Sequence, residues 1–311
     1  MTLTELKYIV ALAREKHFGR AAEACFVSQP TLSVAIRKLE DELGVQLFER
    51  GTAGIQTTAM GDQLIEQAQK VLDEASLLKD LARQGRDPLA GPLRVGVIFT
   101  IGPYLLPWLV PQMIQAHPSM PMLLQENYTV KLLETLRQGE IDVLILAEPF
   151  DAQGLVTEPV YDEHFMVAVP RQHPWAKRRR IPSAELTQQT MLLLGSGHCF
   201  RDQVVEICPE LSRFSQASSG IQKTFEGSSL ETIRHMVASG VGITVLPQTA
   251  CPRSRDDGFL CYIPFESPAP NRRVVLAWRK SFARPAAIEA LKQQLKALDL
   301  PVQIIAATKS S

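Results

Sequence analysis

The chain lacks net charge: 33 lysines and arginines are matched by 33 aspartates and glutamates over 311 residues. Bulk electrostatics therefore announces no nucleic-acid partner. The balance is also local, since residues 1–60 hold seven Lys/Arg against seven Asp/Glu. Any contact with a polyanion must come from the arrangement of particular charges. An apolar run of the roughly 18 residues that a membrane helix needs is missing as well, so no membrane partner is expected. The opening MTLTELKYIV has an early acid and no long apolar stretch before a cleavage site, unlike a secretory leader. Cysteine is scarce and odd in number, at positions 25, 199, 208, 251 and 261. That is no secreted disulfide framework and points to the reducing cytoplasm, where a disulfide is more often a signal than a staple. Internal repeats and low-complexity tracts are absent, and the tail IIAATKSS is expected to fray.

What is present is helical periodicity followed by strand–helix alternation. TLTELKYIVALAREKH carries an apolar stripe at Leu6, Ile9, Val10 and Leu12–Ala13, the spacing of an amphipathic helix. FGRAAEACFVS and QPTLSVAIRKLEDELG follow, divided by a turn at Val27–Ser28, in a helix-turn-helix layout. Ala21, Ala22, Val27, Leu32, Ile36 and Leu39 are expected to pack the two helices together. Ser28 suits an N-cap and Pro30 the first turn. VQLFERGTAGIQTT reads as a two-stranded wing with Gly51 and Gly54 in its turn. From a cap at Thr58, one helix of roughly thirty residues, about 40 Å long, is expected. Leu64, Ala68, Val71, Ala75, Leu78 and Ala82 form a heptad seam along it, expected to pack against a second copy of the chain. The alternative is packing along the chain's own second domain.

After a hinge at Gly85–Gly91, strand LRVGVIFT, a helix from Pro103, strand PMLLQENYT, helix KLLETLRQG and strand IDVLILA alternate. HFMVAVP starts a second run with TMLLLG, helix SLETIRHMVASG and GITVLP, and NRRVVLAWR and PAAIEALKQQLKAL return to the first half. The expected fold is therefore an all-α winged helix-turn-helix (residues 1–58) and a linker helix (59–87), followed by an α/β domain (88–311). The α/β domain has two Rossmann-like subdomains, I at about 88–163 and 269–300 and II at about 164–268, with ligands beyond the strands' carboxyl ends.

One stretch, GSGHCFRDQVVEIC at 195–208, carries chemistry. Its two cysteines are nine positions apart. On a continuous helix that is roughly 13 Å along the axis and on opposite sides, whereas a disulfide needs Cα atoms within about 7 Å. His198 and Arg201 flank Cys199, and a helix starting near 200 adds its positive end. All three favour the thiolate, the nucleophilic form. Cys25 is expected in the core of the first motif helix and Cys261 packed in FLCYIPF. Cys251, beside a proline and a basic loop, is expected to be exposed and incidentally oxidisable. The KRRR run at 177–180 reads as a solvated loop. His198, Cys199 and Cys208 lack the paired spacings of a zinc centre, so neither metal nor cofactor is expected.

FGRAAEACFVSQPTLSVAIRKLEDELGVQLFER resembles the DNA-binding segment of LysR-type transcriptional regulators. The resemblance runs from end to end: winged helix-turn-helix, linker helix, and a two-part regulatory domain like periplasmic binding proteins. GPYLLP, HPWA at 173–176, GHCFRDQ and SSLETIRHMVA resemble the peroxide-sensing members. This resemblance implies a transcriptional activator of antioxidant genes rather than an enzyme. Cys199 would be its peroxidatic thiol, oxidised to a sulfenic acid, and Cys208 the resolving thiol. Thr100 and Thr129, placed at the ends of their strands, would hold hydrogen peroxide with His198, supported by Arg201 and Asp202. Closing a Cys199–Cys208 bond would cost the 200–207 segment its regular geometry, a two-state element. The resemblance also implies a dimer of dimers whose reduced and oxidised forms grip DNA differently, with RNA polymerase recruited by the oxidised form. The recognition helix, from Gln29, would enter the major groove of double-stranded DNA at an inverted-repeat site. Gln29, Thr31 and Ser33 would reach bases or phosphates, Arg37 and Lys38 phosphates, and Arg50 the minor groove. Two other functions stay open: a LysR-type regulator answering a small organic effector, and a thiol peroxidase turning over with a reductant.

Overall fold

The computed structural model describes residues 1–51, 54–84, 87, 89–207, 224–227, 229–254 and 257–305. Contacts divide the chain into a first unit of Met1–Asp87 with Ser281–Ala283 and a second unit built from Pro88–Lys280 and Arg284–Ser311.

In the first unit, α1 (Leu3–Glu15) opens on a capping box. Glu5 N–H donates to Thr2 Oγ1 at 3.2 Å, and Thr2 N–H donates to the Glu5 carboxylate at 2.7 Å, which satisfies two backbone donors reciprocally. Helices α2 (Phe18–Ala24) and α3 (Gln29–Leu43) form the helix-turn-helix. Ser28 Oγ accepts the Thr31 N–H at 3.3 Å, and Gly44 closes α3 in the left-handed region at φ 67°, where glycine carries no Cβ penalty. Ala21, Ala22, Leu32, Ile36 and Leu39 are buried between the helices, with Val27 packed at the edge. Strands β1 (Phe48–Gly51) and β2 (Gly54–Thr57) make the antiparallel wing, Gly51 opposite Gly54.

Helix α4 (Ala59–Gln84) starts at Thr58, whose Oγ1 accepts the Gly61 N–H at 2.8 Å. The heptad seam of α4 divides in two. Leu64 and Ala68 lie in the cluster of Leu6, Ile9 and Leu12, because the start of α4 packs on α1. Ala68 is buried there and Leu64 partly so. Val71 and Leu78, further along, are exposed.

The second unit carries β3 (Leu93–Ile98), α5 (Gly102–Ala116), β4 (Met122–Asn127), α6 (Thr129–Arg137) and β5 (Val143–Ala147). Then come β6 (Leu155–Pro170), β7 (Met191–Leu194), α7 (Cys199–Ile207), β8 (Thr224–Gly227), α8 (Leu230–Ala238) and β9 (Thr244–Pro247). It ends with β10 (Leu260–Pro264), β11 (Asn271–Arg279), α9 (Pro285–Ala297) and β12 (Gln303–Ile304). The sheet order is β10-β6-β11-β5-β3-β4, with β9 and β12 also pairing β6. Parallel pairs β3–β4 and β3–β5 make the first half, and β7–β8 are parallel in the second. HFMVAVP does not start a strand; it is the second part of β6. Leu155–His164 pair with β11, and Phe165–Pro170 pair with β9 and β10. One strand thus spans both halves. Side chains also cross between them: Tyr104 of α5 donates to Glu231 of α8 at 2.8 Å, and Gln203 of α7 donates to the Glu148 carbonyl at 2.7 Å.

Gly61 sits where a Cβ would lie 2.2 Å from the Leu47 carbonyl oxygen, backbone that cannot swing aside. Gly61→Ala is expected to destabilise the first unit by about 1–3 kcal/mol, read as an earlier melting transition by circular dichroism. An unchanged melting temperature would contradict this packing.

Candidate functional site

Beyond the carboxyl ends of β3 and β4, three segments close on one small cavity. Ile98, Phe99 and Thr100 leave β3; Asn127, Tyr128 and Thr129 join β4 to α6; Gly197, His198 and Cys199 lead into α7. The enclosed space is about 10 Å³, near the lower bound for one ordered water. Its rim is aromatic: Tyr128 meets Phe99 at 5.3 Å and His198 at 4.7 Å, both edge to face. Gly197, at φ 96°, makes the turn before the helix, and a Cβ there would lie 3.4 Å from the Tyr128 ring.

Thr100, Thr129 and His198 are buried and Cys199 is half-buried. Thr129 does not end a strand. It is the first residue of α6, and Thr100 lies in the turn two residues past β3. Thr129 Oγ1 is buried without a hydrogen-bond partner among the described residues. Such a group costs about 1–3 kcal/mol until something pairs with it. Cys199 is the first residue of α7, where backbone N–H groups have no intrahelical acceptor and face whatever occupies the helix start.

Thr100 is held from behind by a charge. Arg272 Nη1 donates to Thr100 Oγ1 at 2.9 Å and Nη2 to the Thr100 carbonyl at 3.0 Å. Arg272 Nε donates to Glu163 at 2.8 Å, with both side chains 0% exposed. The other Glu163 oxygen accepts the Thr249 N–H at 2.7 Å. The guanidinium lies 5.1 Å over the ring of Phe200, the residue after Cys199. Strand register makes this pair: Arg272 faces Glu163, and Arg273 faces Asp162. Sequence reasoning missed Arg272, Glu163, Phe99, Tyr128 and Gln203. A signal existed for the first two. Adjacent arginines in a strand point to opposite faces, so one of Arg272 and Arg273 has to enter the core.

Arg201 is half-buried and Asp202 exposed in the first turn of α7, and neither lines the cavity. Asp202, three residues after Cys199, shares its side of α7, and Arg201 does not. Cys208 lies outside the described residues. Cys251 is buried rather than exposed, its Sγ set 3.6 Å from the Pro247 carbonyl, and burial pushes its thiol up. Cys261 is buried in β10. Cys25 is half-buried at the edge of the helix-turn-helix core, and burial pushes its thiol up too.

On α3, Gln29, Thr31, Arg37 and Lys38 are exposed and Ser33 half-buried. Thr31 Oγ1 hydrogen-bonds the capping Ser28 Oγ at 2.8 Å, and Lys38 lies 3.9 Å from Glu5. Arg50 belongs to β1, and its side chain lies outside the described residues. Val34, 68% exposed on α3, was not anticipated. It lies off the buried stripe of Leu32, Ile36 and Leu39.

Residues 3–62 match the family described as bacterial regulatory helix-turn-helix protein, lysR family, and residues 86–299 match the LysR substrate binding domain. The chain is 43% identical over 279 residues to the hydrogen peroxide-inducible genes activator of Pectobacterium carotovorum subsp. carotovorum, covering 90% of each. Among solved structures it is similar to full-length OxyR from Pseudomonas aeruginosa carrying a Cys-to-Asp substitution. That match has 50% identity and a TM-score of 0.75, covering 95% of this chain and 98% of that one. It is also similar to a hydrogen-peroxide-bound Cys-to-Ser mutant of Corynebacterium glutamicum OxyR, with 35% identity and a TM-score of 0.63, covering 95% and 92%.

Removing one member of the Arg272–Glu163 pair strands the other charge in the core. Arg272→Met is expected to lower stability by about 3–5 kcal/mol in urea unfolding, and adding Glu163→Leu to recover most of that loss. Equal stability of the two variants would show that the pair is not the buried ion pair described.

Proposed function

This chain belongs to the LysR family of bacterial transcriptional regulators, and from that premise we propose that it is a peroxide-sensing transcriptional activator whose sensor is Cys199. The observation that carries this reading is the convergence of Thr100, Thr129 and His198 on Cys199 around one cavity of about 10 Å³. An organic effector takes a pocket of about 300 Å³ or more. The space beside Cys199 suits a molecule of a few atoms. Hydrogen peroxide donates and accepts hydrogen bonds at both oxygens, and threonine hydroxyls do the same.

In this mechanism the Cys199 thiolate attacks one peroxide oxygen and the O–O bond breaks. The sulfur becomes a sulfenic acid; the other oxygen leaves as hydroxide and departs as water after taking a proton. N–H groups at the start of α7 and the Thr129 hydroxyl are placed to stabilise that charge. A thiol from Cys208 then condenses with the sulfenic acid, forming the S–S bond and releasing water. Between Cys199 and Ile207 a regular helix advances about 12 Å, and a disulfide spans at most about 7 Å between Cα atoms. A bridge to the residue after Ile207 therefore requires the last turns of α7 to unwind. Phe200, Gln203 and Val204, buried along α7, are the contacts at stake.

One reaction per reduction cycle makes this a sensor rather than an enzyme. It works in the cytoplasm as a dimer of dimers that changes its grip on inverted-repeat DNA and recruits RNA polymerase. Exposed apolar residues on α5 (Trp108, Ile114) and on the edge strand β4 (Leu123, Leu124) support contact between copies, since large apolar side chains left in water favour burial against a partner.

Thiol mapping by mass spectrometry after substoichiometric peroxide tests the chemistry. A Cys199–Cys208 bridge is expected in the natural chain, and trapped or over-oxidised Cys199 in Cys208→Ser; free thiols in both samples would end the sensor reading. For the DNA contact, Arg37→Ala is expected to weaken binding similarly on all sequences and to lower the salt slope by about one. A loss confined to one operator position would make Arg37 a base reader instead.

A further inference from the structure

The mechanism above assigns work to the residues lining the cavity and leaves Glu163, buried behind it, without a role. Glu163 is fully buried on the strand shared by both halves, and both of its oxygens are engaged. One accepts from Arg272 Nε; the other accepts the Thr249 backbone N–H just past β9. A carboxylate so placed is costly to desolvate, and apolar side chains of the same volume commonly stabilise a core as well or better. Its contribution is geometric. With Nε held by Glu163, the guanidinium plane is fixed, and Nη1 and Nη2 both fall on Thr100. A hydroxyl that accepts a hydrogen bond from a cation still has one proton to give. The Arg272 N–H comes from behind, so the Thr100 proton turns toward the open side, which is the cavity beside Cys199.

We propose that Glu163 is a positioning residue for peroxide reduction: through Arg272 it makes the Thr100 hydroxyl a hydrogen-bond donor into the cavity, where it holds the peroxide oxygen that Cys199 attacks. The inference rests on the sensor reading and adds a residue that never touches the oxidant. Thr129 complements it. Its buried hydroxyl has no partner among the described residues and is left to accept from, or donate to, the second oxygen. The O–O bond is then aligned between two hydroxyls, one of fixed polarity and one adaptable. With Glu163 neutralised, Arg272 regains rotational freedom and Thr100 its choice of proton direction.

The test uses the reduced full-length protein and two reagents for the same sulfur: hydrogen peroxide, which needs the Thr100 donor, and iodoacetamide, which does not. Cys199 modification is followed by quenched-flow mass spectrometry in the natural chain, Glu163→Gln, Thr100→Val and the double variant. Glu163→Gln is expected to slow oxidation by about tenfold, less than the 100-fold or more that follows outright loss of a stabilising donor. Alkylation should stay within about twofold of the natural rate, because only the peroxide step uses the aligned hydroxyl. The double variant should be no slower than Thr100→Val, since both changes remove one arrangement. Glu163→Asp keeps the buried charge but cannot span both partners; it serves if Glu163→Gln does not fold and should show the same selective slowing. Equal slowing of both reagents, a natural oxidation rate in the Glu163 variants, or multiplying effects in the double variant would overturn the proposal. A natural chain in which Cys199 ignores peroxide would instead overturn the sensor reading beneath it.

Discussion

Strand register places two arginines opposite two acids, and the cavity beside Cys199 depends on which pair faces inward. Arg273–Asp162 lies at the surface, where such a contact contributes little. Arg272–Glu163 lies one residue away and is sealed from water. Its members cannot move without leaving a bare charge in the core, so it is a fixed point from which Thr100 and the ring of Phe200 are both held. A slip of one residue between β6 and β11 would leave only one of the two arginines opposite an acid. The hydroxyl facing Cys199 is thus specified by sheet pairing, far from the cysteine in sequence.

Helix α7 carries two demands that pull against each other. Its first residue bears the reactive sulfur, at the end of a helix where backbone donors are free to meet a ligand. Its next turns are rooted: Phe200 packs on Phe165 at 5.0 Å and under Arg272, Gln203 reaches the Glu148 carbonyl, and Val204 is buried. A regular α7 keeps chemistry and packing compatible. A covalent tie between its two ends does not, and the contacts surrendered are the ones that join α7 to the rest of the regulatory unit.

Much of this was legible in the sequence because the signals are local. The capping residues Ser28 and Thr58, the Gly51–Gly54 wing turn and the stripe of Leu32, Ile36 and Leu39 each announce themselves within a few residues. Cys199 at a helix start was legible for the same reason. Thr129 was misplaced because the N-cap of α6 is Tyr128, which makes no side-chain cap hydrogen bond, so the apolar run of β4 seemed to continue. The first part of β6 was hidden by Pro159 and by the acids of YDEH, which interrupt the apolar pattern of a strand. Cys251 was misjudged from its basic neighbours, since its burial comes from packing that no neighbouring residue reveals. Arg272 and Glu163 are 109 positions apart, and nothing but the fold connects them.

The unbroken course of β6 through both halves of the regulatory unit has a mechanical consequence. Proteins that close on a ligand like a clamshell bend at flexible crossings, yet a strand hydrogen-bonded over its length, first to β11 and then to β9 and β10, resists bending as a leaf spring does. A bite-like closure about this crossing would have to shear ladder bonds on β9, β10 and β11 together. Motion is cheaper along the periphery, where single segments can refold while the spine keeps its curvature. In such a body the input would not need to be a large ligand that drags two lobes together: a small molecule at one sulfur would be enough, provided it freed a segment that is packed on the spine but not hydrogen-bonded into it.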